Sequence, residues 1–131
     1  MALQLSTAVR TSRASQLQST VGGPGVLKFW SGAPPAACAT ADAGTLLCTI
    51  TLPATFLTTT SGVASLAGTW SGTGAAAAGS GTPAGYFRIY DGSGTCHMQG
   101  NVTTDLVLNN ASIASGQAVN VTAFTLTEPN A

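Results

Sequence analysis

The stretch from Gly85 to Gly100, GYFRIYDGSGTCHMQG, constrains the fold of this chain more than any other. Tyr86 to Tyr90 alternates large residues with polar ones, Asp91-Gly92-Ser93-Gly94 makes a tight turn, and Thr95 to Gln99 alternates again, so the stretch reads as a β-hairpin. Strand alternation puts Phe87 and Ile89 on one face with Cys96 and Met98 across the turn, and turns Arg88 and His97 away from their neighbours. The expected result is a half-buried antiparallel pair inside a sandwich. One arginine, one turn aspartate and one histidine make no catalytic set there.

Around that hairpin the chain reads as one N-terminal helix and a series of short strands. Ser6 is a candidate N-cap for a helix over 6–20, with a thin stripe of Ala8, Val9, Ala14 and Leu17, and Gly22-Gly23-Pro24-Gly25 stops it. Leu3 and Leu5 precede it as an extended arm. Such a helix either grips a neighbouring subunit or lids its own sandwich. Val26 to Trp30 is a strand with Leu27 and Phe29 on one face and Lys28 and Trp30 on the other. The segment 31–44, SGAPPAACATADAG, is a long loop, because Pro34-Pro35 cannot sit in a central strand.

Thr45 to Leu52 alternates cleanly, with Leu46, Cys48, Ile50 and Leu52 expected to face one way and Thr49 and Thr51 the other. Val63 to Leu66 and Gly68 to Ser71 offer two short strands or one bent strand around Trp70. The glycine-rich 72–84 reads as a loop. Asp105 to Leu108 is a strand, and Asn109 to Gly116 a turn into which Ile113 tucks back. In Ala118 to Thr127 the apolar phase slips near Thr122-Ala123, from Val119 and Val121 to Phe124 and Leu126, as at a β-bulge. The expected fold is mainly β: an antiparallel, jelly-roll-like β-sandwich over 25–131 behind an arm and helix over 1–24.

Charge limits the function. Only 6% of the residues are charged, against about a quarter in an ordinary domain. Arg10, Arg13, Lys28 and Arg88 balance Asp42, Asp91, Asp105 and Glu128. Nucleic acid is not an expected partner, because its binding needs a basic patch. A neutral surface of Thr, Ser, Gly, Ala and Asn fits a domain partly buried in an assembly, although secreted β-domains share this composition. No apolar run is long enough to span a membrane, and the N-terminus lacks a signal-peptide pattern.

Cys38, Cys48 and Cys96 have no metal-ligand spacing, so no metal and no cofactor is expected. Cys48 and Cys96 read as small core residues on strands, and Cys38 in its loop as a possible partner of Cys48 in an oxidising setting. The sequons at Asn101, Asn110 and Asn120 are expected by chance in so Thr- and Ser-rich a chain.

A Ser/His/Asp arrangement would have to be built on His97, the single histidine, with Asp91 or Asp105 as its orienter. No pair among the four acids is placed for glycoside hydrolysis. Trp30, Trp70, Tyr86 and Tyr90 offer either a sugar-stacking platform or anchors of a protein interface.

Three stretches, LKFWSGAPPAACATADAGTLLCTITLP at 27–53, GYFRIYDGSGTCHMQGNV at 85–102 and LVLNNASIASGQAVNVTAFTLT at 106–127, carry a resemblance. Together they resemble the capsid decoration, or cement, proteins of tailed bacteriophages. The resemblance implies a small β-sandwich on the outside of the virion capsid, a homodimer or homotrimer that clamps subunits of the major capsid protein, with no enzymatic activity. It transfers no functional residue by motif. On the chain's own features the expected contacts are Leu3, Leu5, Val9, Leu17, Trp30, Pro34 and Pro35, with Tyr86 and Tyr90 as further anchors. The rival readings are a carbohydrate-binding or adhesion module of a phage tail or cell surface and a small hydrolase centred on His97.

Overall fold

The computed structural model describes residues 3–22 and 24–127. Gly23 of the glycine stop and Glu128 of the tail lie outside the described residues. Ser6 caps helix α1 (Thr7–Val21) by accepting a hydrogen bond from the Val9 amide at 3.2 Å, and Gly22, at φ 65°, ends it by donating to the Gln18 carbonyl. Ala14 and Val21 are buried in the core and Leu17 packs against it. The helix lies on β3 (Leu57–Thr60) and β4 (Val63–Leu66). Gln18 Oε1 accepts from the Leu57 amide at 2.7 Å and Thr11 Oγ1 from the Gly62 amide at 3.0 Å. These bonds satisfy backbone groups at and beside the edge strand β3, so α1 is a lid on its own sheet. Leu17, one of the expected contacts, is half-buried and packs on its own core.

The remaining strands are β1 (Val26–Trp30), β2 (Leu46–Thr51), β5 (Ser71–Gly74), β6 (Thr82–Pro83), β7 (Tyr86–Tyr90), β8 (Cys96–Asn101), β9 (Leu106–Leu108), β10 (Ser112–Ile113) and β11 (Ala118–Thr127). One antiparallel sheet runs β3-β4-β11-β5-β2-β1-β7-β8, with β9 also on β11, and β6 pairs with β10 separately.

The long strand β11 makes this sheet curl. Its first residues pair with β5, its middle with β9 and its last residues with β4, and the register shifts between Val121 and Ala123, at the expected phase slip. Curling buries the two halves against each other. The Phe124 ring lies 5.4 Å from Trp70 and 6.1 Å, edge to face, from Phe87, and Phe56 lies 5.9 Å from Trp70. The result is a mainly β, sandwich-like architecture with one N-terminal helix, as the alternation predicts.

Four local expectations change. The glycine-rich 72–84 is not all loop, because β5 and β6 lie in it, and β5 bridges β2 to β11. Glycine is required in β5: a Cβ on Gly72 would fall 2.9 Å from the Thr49 carbonyl oxygen, and one on Gly74 would overlap Ala114.

In β2 a register shift opposite Phe29/Trp30 takes up Leu47, which is buried, and Leu46 pairs with Trp30 instead of continuing the inward face of Cys48 and Ile50. A second shift, between Ile89 and Tyr90, pairs Met98 with Ile89 but Cys96 with Tyr90. Met98 therefore packs on the core, while Cys96 is absent from it and only half-buried. All five residues of β7 are buried, so the hairpin's first strand is covered on both faces and not on one.

Candidate functional site

One face of β7 looks into the curled core, and the loop 31–44 covers the other. Arg88 sits in the middle of that second face at 2% exposure, where an unpaired cation would be costly. Its five N–H donors are all engaged. Nε and Nη2 donate to Gln99 Oε1 at 3.1 and 2.9 Å, Nη1 to the Thr40 carbonyl and Asp42 Oδ1 at 2.8 Å each, and Nη2 to the Ala37 carbonyl at 3.1 Å. Gln99 completes the frame by donating from Nε2 to the Pro35 carbonyl at 2.7 Å.

The two tyrosines extend the same frame. Tyr90 Oη donates to Asp42 Oδ1 at 2.5 Å, and Tyr86 Oη donates to the Ala43 carbonyl and accepts from the Ala43 amide. Trp30 stacks on Tyr86 with ring centroids 6.4 Å apart, and the Lys28 ammonium lies 5.0 Å from the Tyr90 ring centroid. Alternation on β7 explains the set, since Tyr86, Arg88 and Tyr90 share one face.

The electrostatics follow from burial and pairing. Burial works against the Arg88 cation, but the charge of Cys96 and the hydrogen bonds with Asp42 and Tyr90 outweigh it, and its pKa stands above the ordinary value. Burial, reinforced by Asp42, pushes the Tyr90 phenol well up. Neither group is poised for acid–base work near neutrality. A guanidinium with no donor left also offers no seat to a phosphate or carboxylate. What the set does is pin the loop at Pro35, Ala37, Thr40, Asp42 and Ala43.

Between loop and hairpin lies an open cavity of about 510 Å³, lined among others by Cys38, Thr40, Asp42, Arg88, Tyr90 and Cys96. The reactive groups left in it are the two thiols. Burial, with the neighbouring Cys38 as second cause, pushes the Cys96 thiol up to about 11. Cys48, the partner expected for Cys38, is instead fully buried on β2.

The sugar-stacking platform does not form. Tyr86 and Tyr90 are buried at 0% and 5% exposure, and Trp70 lies in the core with Nε1 donating to the Ala67 carbonyl. The two tyrosines are therefore closed to a partner as well. Trp30 is half-buried beside Tyr86, Pro34 and Pro35 are half-buried in the loop, and Leu5 is half-buried in the arm. Leu3 and Val9 point outward at 78% and 45% exposure.

His97 Nε2 meets Asp91 Oδ2 at 2.9 Å, while Asp105 accepts from the Asn101 amide instead. Asp91 also accepts from the Ser93 and Thr95 amides, so the pair clamps the hairpin turn. The hydrogen bond with His97, followed by those from the Thr95 and Ser93 amides, holds the Asp91 carboxyl below its ordinary 3.8. Because the folded value is depressed, its stabilising contribution is present above the ordinary value and is lost as pH falls through the folded one. A carbon-detected NMR titration is expected to place the Asp91 midpoint below 3.8 and to move it upward in His97→Ala. A midpoint at the ordinary value in both proteins would break this account.

Among the described residues no group of three or more His, Cys, Asp and Glu is placed to hold a metal ion, and no helix is long and apolar enough to cross a membrane. No protein-family model, curated protein or solved structure matches the chain.

Proposed function

We propose that this chain is a virion structural protein, a capsid decoration or cement protein without enzymatic activity. It binds the outside of a tailed-phage head and stabilises contacts between subunits of the major capsid protein, itself as a homodimer or homotrimer. The observation that carries this reading is the use made of Arg88. The buried charged side chain of the described residues directs three of its five donors to an Ala- and Pro-rich loop and the other two to Gln99, which itself holds Pro35, while Ala36, Ala37, Ala39 and Ala41 stay exposed. A surface fixed before it binds loses little conformational freedom on docking. Repeated over a shell, modest contacts of this kind stabilise the assembled state by mass action.

Leu3, ahead of the helix, and Val9, in its first turn, are exposed and form the second contact set. Removing residues 1–20 would also strip Ala14 and Leu17 from their own core, so the informative variant is Leu3→Ser with Val9→Ser. Both side chains face solvent, so the fold is expected to persist while affinity for capsids lacking the chain falls roughly tenfold. Unchanged affinity would remove both the arm and this face of the helix from the interface.

The deciding measurement for the role itself is the copy number of the chain relative to the major capsid protein in purified virions. Comparable numbers are expected. A number lower by about tenfold or more would move the chain to the tail or vertices and favour adhesion.

A further inference from the structure

The cavity beneath the loop 31–44 is lined by Cys38 of the loop and by Cys96, whose alternation had pointed to the core. Cys38 neighbours the Cys96 thiol there and helps to raise its pKa, while the Cys96 thiol itself donates to the Met98 carbonyl at 3.4 Å. Both positions are fixed. On the loop, Ala37 and Thr40 on either side of Cys38 are held by Arg88, and Pro35 by Gln99. On the hairpin, Cys96 pairs across the ladder with Tyr90, whose hydroxyl returns to the loop at Asp42. The third cysteine, Cys48, is fully buried on β2 and removed from this exchange.

We propose that Cys38 and Cys96 form a redox-convertible dithiol site that takes a small-molecule disulfide of the glutathione class and closes into an intramolecular disulfide stapling the loop to the hairpin. In the first step the Cys38 thiolate attacks one sulfur of the oxidised tripeptide, forms a mixed disulfide and releases one thiolate. Cys38 starts the exchange because the Cys96 thiol, pushed up to about 11, supplies little thiolate at neutral pH. In the second step Cys96 sulfur attacks the Cys38 sulfur, breaks the mixed disulfide and releases the second thiolate. The two protons of the protein thiols end on the two reduced tripeptides. The protein loses two electrons and the small disulfide gains them. Side chains already hold the loop over the hairpin, on either side of Cys38. The site stands whether or not the chain binds a capsid.

The test uses the full chain, fully reduced, incubated with oxidised glutathione in the absence of air and metal ions. It is then alkylated under denaturing conditions and mapped by mass spectrometry without reduction. A linked peptide pair containing Cys38 and Cys96, with Cys48 alkylated, is the expected product. Its formation is expected to raise Tm by roughly 5–15 °C, since it closes a long loop in the unfolded chain. In Cys96→Ser the reaction is expected to stop at a glutathione adduct on Cys38. A Cys38–Cys48 link, a persistent adduct on Cys38 of the wild-type chain beside free Cys96, or three unreacted thiols would each overturn the proposal.

Discussion

Trp70→Ala is expected to cost about 3–5 kcal/mol of folding stability. That is a large share of the roughly 5–15 kcal/mol available to an ordinary domain. The indole is 1% exposed and stands between Phe56 and Phe124, so its removal leaves an unfilled space where the two halves of the curled sheet meet. The lost Nε1 bond to the Ala67 carbonyl adds to the deficit. Urea unfolding followed through Trp30, the remaining tryptophan, gives the number directly. A loss under about 1 kcal/mol would mean that the core collapses around the gap and that the curl does not depend on this ring.

Arg88→Met is expected to cost about 2–3 kcal/mol and to loosen one loop in particular. Breaking a buried charge pair usually costs about 3–5 kcal/mol, because the abandoned partner stays buried. Asp42 is 33% exposed and regains water once Arg88 is gone, which places the expected loss below that range. Gln99 and the carbonyls of Ala37 and Thr40 lose their donors in the same step. Limited proteolysis is therefore expected to cut within 31–44 well before the β-strands yield. Arg88→Lys is expected to rescue little, since an ammonium cannot span Ala37, Thr40, Asp42 and Gln99 together. If Arg88→Met keeps both stability and protease resistance, the ordering of the loop does not come from this network, and the proposed docking surface loses its physical basis.

The legible parts of the chain were those in which one strand or helix period decides the outcome. Ser6 as cap, the β1 alternation, the hairpin turn at Asp91 and the phase slip in β11 all depend on residues within a few positions of each other. Errors arose where a single inserted residue shifts the pairing. Leu47 in β2 and the shift after Ile89 each exchange one face for the other, and nothing in local alternation marks them. Gly72 and Gly74 read as loop by composition, yet they pair as a strand between β2 and β11, so close to their neighbours that a Cβ would not fit.

The candidate site was the least legible. Arg88 between Tyr86 and Tyr90, and Asp42 as the single acid of a long loop, were the available signals. Parity alone could put those residues on one face, but it could not say that a loop more than forty positions away would cover it. The sequence by itself determined the mainly β class, the capped helix, the hairpin and the bend in β11, because each depends on short-range sterics and alternation. Tertiary structure alone decided that the helix lids its own sheet, that the loop 31–44 covers Tyr86, Arg88 and Tyr90, and that Cys38 and Cys96 line one cavity. Those outcomes depend on which distant surfaces meet when the sheet curls, and the free energy of that meeting is not encoded in any one segment.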